Sequence, residues 1–250
     1  MKKKKKKQSK AVRILLDIIL VAALITAGYS GYRLYTGMQE YNESKEVYDE
    51  INQQVIVHKD TEEEGFRVDW DALKNQNADT AGWIRLKDSS IDYPFVYAND
   101  NAYYLTHLFD GTYNRSGCVF VDANNQHNFQ DKNTVLYAHH MRNGTMFADV
   151  ENYKDSSYYS THKEIEIYTP EQNYIMYPVA GIVTTGTDNY VRYSFTDDAD
   201  YMNYVKYFTD RSTFQSDESI QAEDQMVMLS TCSYDVTDGR YVLIGKLVKK

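Results

Sequence analysis

Residues 225–248 read QMVMLSTCSYDVTDGRYVLIGKLV. Two apolar runs, Gln225 to Ser230 and Tyr241 to Val248, flank the polar, turn-forming stretch Ser233 to Gly239. Both have strand length and strand composition. Six more such runs lie upstream: Gly82 to Leu86, Ile91 to Val96, Cys118 to Val121, Thr134 to Ala138, Glu164 to Tyr168 and Tyr174 to Thr185. Within the same region helices are expected at Asp69 to Asn75, at Thr145 to Tyr153 and at Asp197 to Phe208, where Tyr201, Tyr204, Val205 and Phe208 recur at helical spacing. Eight closely spaced strands without regular helix crossovers argue against a doubly wound α/β sheet. They leave a mainly β fold, an antiparallel sheet or a closed barrel with helical insertions.

The 250 residues are 42% hydrophobic and 14% aromatic, enough to bury a core. Twelve Gly, three Pro and two Cys exclude collagen-like, low-complexity and disulfide-dense classes, so sulfur chemistry must use Cys118 or Cys232. Of 27 basic groups, eight lie in the first thirteen residues, which hold no acidic one. The remainder sets 19 basic against 36 acidic groups and stands at −17. Such a body repels phosphate, and with no basic patch after residue 13 no nucleic-acid partner is expected.

The basic run (residues 1–13) precedes Ile14 to Gly28, apolar except for Asp17 and followed by Tyr29 and Tyr32. With its flanks this reaches the roughly 20 residues of a membrane-spanning helix, so residues 14–35 read as an anchor. The positive-inside rule puts residues 1–13 in the cytoplasm and the acidic body outside, a single-pass cell-membrane protein. A cleaved signal peptide, using the small residues around Gly28-Tyr29-Ser30, is the rival, and in either case the body is exported. Tyr41, Tyr48, Ile51 and Val55 predict a helix from Gln39 to His58, a stalk or a helix docked on the body. Lys59 to Gly65 reads as a hinge, so residues 36–65 form a membrane-proximal helix and linker and the compact domain runs 66–250.

Three residues stand where chemistry can be done. Cys232 ends the run Met226 to Cys232, a thiol fixed by a rigid element and open to substrate. Taken alone it is better explained as a structural thiol or a disulfide partner of Cys118, itself a core residue in Gly117 to Val121. His139 follows the strand-like run Thr134 to Ala138, and an imidazole there can take a thiol proton or protonate a departing amine. Its neighbour His140 points to the opposite face of an extended chain, so one of the two faces the site. Arg240, eight residues beyond Cys232, opens the last strand and offers a permanently charged donor to an oxyanion. His107, His127 and His162 read as solvent-facing. The order His before Cys, with Arg as third group, disfavours papain-like peptidases.

Leu229-Ser230-Thr231-Cys232 followed by Arg240, Tyr137-Ala138-His139-His140-Met141 upstream, and an anchored exported body resemble the sortases. Thr145-Met146-Phe147, Thr187 to Arg192 with the helix after it, and Asn101 to Leu105 resemble class B in matching order over about residues 66–250. Ala138 stands where the family often has Gly. The resemblance implies a closed eight-stranded β-barrel with N-terminal helices and a helix inserted before the strand carrying Cys232. It implies Cys232 as nucleophile, His139 as general acid/base and Arg240 as oxyanion or substrate clamp, leaving His140 a bystander. It places substrate contacts at Asn101, Leu105, Tyr190, Val191 and Ser230. The implied activity is a cysteine transpeptidase without metal or organic cofactor, which cuts the sorting signal of exported proteins and transfers its Thr carbonyl to a peptidoglycan amine. A surface cysteine hydrolase and a non-catalytic binding module on the same barrel are the alternatives.

Overall fold

The computed structural model describes residues 10–58 and 65–250. The basic residues Lys2 to Lys7 and the hinge from Lys59 to Glu64 lie outside the described residues. Two compact units divide the chain, one ending at Glu43 and one spanning Ser44–Lys250. The first consists of α1 (Lys10–Val55) up to Glu43, passing unbroken through Gly28-Tyr29-Ser30. Its apolar residues from Val12 to Ile25 are exposed, and the helix is long and apolar enough to cross a membrane.

The second unit begins with the last turns of α1, where Ser44, Tyr48, Ile51 and Val55 are buried at helical spacing. Tyr48 donates its hydroxyl to the Gly117 carbonyl at 2.8 Å. Gly117 has φ 63°, and a Cβ there would stand 2.6 Å from the Tyr104 carbonyl oxygen, so this position accepts only glycine. The compact unit therefore starts at Ser44, ahead of Phe66. The helix expected to reach His58 stops at Val55, because Ile56–His58 pairs as a short strand with Arg67–Val68.

All eight expected strands form: β1 (Thr80–Arg85), β2 (Asp92–Tyr97), β3 (Val119–Val121), β4 (Asn133–Tyr137), β5 (Ile165–Tyr168), β6 (Asn173–Thr185), β7 (Gln225–Cys232) and β8 (Gly239–Lys249). They close into a barrel in the order β8-β6-β5-β1-β2-β3-β4-β7. The barrel is mixed, since β2 with β3 and β4 with β7 run parallel. Along β7, Val227 and Leu229 enter the main core while Met226 and Met228 enter a second cluster under α4 (Asp198–Thr209). Tyr241 and Leu243 against Val242 and Ile244 repeat the division on β8. Burial on both faces explains why these strands read as continuous apolar runs rather than alternating ones.

Three helices open on an aspartate cap. Asp69 accepts from Ala72 N at the start of α2 (Trp70–Gln76), Asp155 from Ser157 N at the start of α3 (Ser156–Thr161), and Asp197 from Asp200 N at the start of α4. The helix expected over Thr145 to Tyr153 is replaced by a 3-10 helix over Ala148–Lys154. Met146 at φ 59° bridges back to His140 and cannot join a helical turn, and Asp149 is drawn off to the Ser90 amide at 2.6 Å.

Candidate active site

The register of three strands decides what meets at the barrel wall. In the antiparallel pair β7–β8, Cys232 stands opposite Arg240. Ser233 donates its amide to the Gly239 carbonyl at 2.9 Å, so that pair is the hydrogen-bonded one. The pair Cys232–Arg240 beside it is then of the close, non-hydrogen-bonded kind, with both side chains on one face. On the other side β4 runs parallel to β7 with Tyr137 level with Ser230, and two residues further the same register brings His139 level with Cys232. By strand alternation Cys232 shares a face with Met228, Arg240 with Val242 and His139 with Val135, all members of the cluster under α4. The three groups therefore lie on the outer wall of the barrel, on the side that α4 and its preceding segment cover.

They line one cavity of about 340 Å³ together with Asn101, Leu105, Phe120, Tyr137, Ala138, Gly186, Tyr190 and Thr231. Of the expected substrate contacts, Asn101, Leu105 and Tyr190 are on its wall. Ser230 and Val191 are not. Ser230 is buried behind the wall with its hydroxyl 3.0 Å from the Tyr190 hydroxyl, and Val191 packs under α4. Burial raises the pKa of the Tyr137 and Tyr190 hydroxyls, so both remain protonated donors. Tyr137 donates to the buried carboxylate of Asp122 at 2.9 Å, which also accepts from Asn101 Nδ2 at 3.0 Å. One acid thus orients two residues of the wall.

His139 Nε2 lies 2.8 Å from the Leu105 carbonyl, so Nε2 carries a hydrogen and the exchangeable position is Nδ1. Arg240 Nη1 donates to the carbonyls of Asp238 at 3.1 Å and Gly239 at 2.9 Å and pairs with the Asp238 carboxylate at 3.0 Å. A Cβ on Gly186 would stand 2.8 Å from Arg240 Nη2 and 2.6 Å from the Asp238 carboxylate, so the absent side chain is what admits the guanidinium. His140 is off the cavity, but its Nδ1 lies 3.1 Å from the Cys232 carbonyl oxygen.

The two cysteines are both free, which removes the disulfide alternative. Cys118 is 1% exposed, and burial pushes its thiol up to about 12, whereas Cys232 is half-buried at the cavity. At pH 8 Cys118 stays in the thiol form. Iodoacetamide should therefore label Cys232 in the native protein and reach Cys118 only on unfolding, as peptide mass mapping reads directly. Equal native labelling would contradict this burial. Of the three histidines expected in solvent, His127 is exposed, stacked on Tyr97 at 4.1 Å. His107 and His162 were expected in solvent but are half-buried, stacked on Tyr103 at 3.9 Å and Tyr158 at 3.8 Å. Each tyrosine is four residues upstream, and Tyr158 is half-buried with its partner while Tyr103 stays exposed.

A closed eight-stranded barrel with a thiol, an imidazole and a guanidinium at one wall cavity is the build of a cysteine enzyme of acyl transfer. A family model described as the Sortase domain matches residues 89–248. Sortase B of Staphylococcus aureus is 31% identical over 237 residues, covering 94% of this chain and 96% of that protein. The Bacillus anthracis sortase B structure in complex with AAEK1 superimposes with a TM-score of 0.75 at 31% identity, covering 85% of this chain and all of the other. A Staphylococcus aureus sortase B–substrate complex gives 0.74 at 29% identity over 84% of this chain and 99% of that one. The chain belongs to the sortase family, and within it is a sortase B-type cysteine transpeptidase.

Proposed function

We propose that the protein anchors exported proteins to the cell wall by cutting a C-terminal sorting signal and passing the acyl group to an amine of peptidoglycan. The observation that carries this reading is the convergence of Cys232, His139 and Arg240 on one cavity. The Cys232 thiolate attacks the carbonyl of the signal's Thr, and the guanidinium of Arg240 stabilises the tetrahedral oxyanion. Its Nη1 is committed to the Asp238 loop, so Nε and Nη2 are the donors available to substrate. His139 protonates the departing amine and a thioester remains. The incoming amine then attacks the thioester carbonyl, gives up a proton and releases the sulfur.

Asn101, Leu105 and Tyr190 hold the signal peptide on the wall, and Ser230 and Val191 support Tyr190 from behind. Residues 14–35 anchor the chain in the membrane lipid, with residues 1–13 in the cytoplasm and the catalytic domain, expected from residue 66 and packed from Ser44, outside the cell. The exposed apolar surface of α1 supports the anchor.

Full-length protein in detergent, offered a set of peptides of the Asn-Pro-x-Thr-Asn and Pro-x-Thr-Gly kinds together with a short oligoglycine, should form a thioester adduct on Cys232 and then a ligated peptide. Product identity by mass separates the alternatives. Hydrolysed peptide alone, with the amine in excess, would mark a cysteine hydrolase, and no adduct at all would mark a binding module.

A further inference from the structure

The Cys232 carbonyl occupies an edge that the barrel does not close. The hydrogen-bonded pair on β8 is Ser233 with Gly239, so the amide and carbonyl of Cys232 face away from β8, toward the side where β4 runs. There β4 has ended at Tyr137, and the ladder's last contact is a long 3.4 Å bond from Ala138 N to Ser230 O. The imidazole of His140 takes the place of the missing strand, its Nδ1 3.1 Å from the Cys232 oxygen. The same Nδ1 lies 2.9 Å from Glu151 Oε2. Both neighbours are acceptors, so Nδ1 carries the hydrogen whatever the charge on the ring.

Glu151 holds more than the ring. Its other oxygen accepts the Ser233 hydroxyl at 2.6 Å and pairs with Lys154, which extends to the Asp235 carboxylate at 2.6 Å. One carboxylate therefore reaches the Cys232 carbonyl oxygen through the His140 ring and the following residue through its hydroxyl. It is 15% exposed and stands on the 3-10 helix Ala148–Lys154, which is fixed by the buried side chains of Val150 and Tyr153. Tyr234 closes the ring of contacts by donating its hydroxyl to the His140 carbonyl at 2.9 Å. None of His140, Glu151 or Ser233 lines the cavity.

We propose that Glu151 is a positioning residue for the nucleophile: through the His140 ring and the Ser233 hydroxyl it sets the main chain of Cys232, and so the place of Sγ between His139 and Arg240. The proposal rests on Cys232 being the nucleophile. A sulfur displaced by about 1 Å costs on the order of 10²-fold in an acyl transfer that needs three groups aligned, while a small alkylating reagent needs only an exposed thiol.

The test uses full-length protein in detergent with the peptide and oligoglycine assay. His140→Phe keeps a ring against Tyr234 and deletes the donor, and Glu151→Ala deletes the grip. Each should lower kcat by on the order of 10²-fold with KM within about threefold and iodoacetamide labelling of Cys232 within about threefold of wild type. His140→Asn, whose amide N–H replaces Nδ1, should recover to within about tenfold of wild type. The double variant His140→Phe/Glu151→Ala should lose no more than the worse single one, because the two act as a unit. Wild-type kcat in His140→Phe, an additive double loss, an Asn variant as poor as Phe, or labelling that falls in step with kcat would each overturn the proposal. Turnover by Cys232→Ala in the same assay would instead overturn the assignment of the nucleophile, which keeps the two failures apart.

Discussion

Cys232→Ala should leave neither thioester adduct nor ligated peptide, with the fold intact. The side chain ends β7 half-buried at a cavity, so trimming it removes few packed atoms, and a stability change within about 1 kcal/mol is expected, read as the midpoint of thermal unfolding. The chemical loss is of another order. Without the sulfur no covalent intermediate forms, and deletion of a covalent nucleophile costs on the order of 10⁶ in turnover in comparable acyl transfers, leaving only what binding and oxyanion donors supply. Cys232→Ser tests the same point with shape preserved, since a hydroxyl ionises far less readily than a thiol beside one imidazole. Intact-protein mass after incubation with peptide reads the adduct directly. An adduct in Cys232→Ala would move the nucleophile elsewhere, and Cys118 at 1% exposure offers no route for a peptide.

The strands were legible because each apolar run ends at polar turn residues, and the two readings left open, antiparallel sheet or closed barrel, differ in pairings that no local pattern carries. The parallel contact of β4 with β7 joins segments separated by residues 138–224, and the one between β2 and β3 spans the loop that holds Asn101 and Leu105. Periodicity placed a helix at Thr145 to Tyr153, but it does not report the positive φ of Met146, which bars the helix's first turn. At the site, Cys232, His139 and Arg240 stood out because thiol, imidazole and guanidinium each fall at a strand end. Asn101, Leu105 and Tyr190 came only with the family resemblance, since nothing local marks a wall residue. Phe120, Tyr137 and Thr231 read locally as strand residues, and their second role depends on where the barrel opens. Gly186 could have been suspected, as a glycine next to the polar stretch Thr187 to Asn189, but its partner Arg240 lies 54 residues on. Strand alternation leaves one of the two imidazoles for the site and the resemblance sets His140 aside; it is off the cavity, and neither bears on the Cys232 carbonyl behind it.

His139→Ala should lower kcat by about 10²–10⁴, the range for removal of a positioned acid or base, with a smaller change in KM. The leaving group is an amine, which departs poorly unless protonated, so the imidazole's contribution falls on the acylation step. Its geometry also offers a second account, in which the ring merely holds the loop of Leu105 against the cavity through the 2.8 Å contact from Nε2. His139→Gln separates the two. A glutamine amide can donate to the Leu105 carbonyl much as Nε2 does, but it neither accepts nor releases a proton at neutral pH. If proton transfer is the role, Gln should be about as slow as Ala, and both should lose the limb of the kcat/KM pH profile that reports this imidazole in the wild-type enzyme. Added imidazole should partly restore turnover in His139→Ala, where the cavity has gained the space for it. Near-wild-type kcat in His139→Gln with an unchanged pH profile would reduce His139 to a prop for Leu105 and send the search for the acid to the protonated hydroxyls of Tyr137 and Tyr190 on the cavity wall.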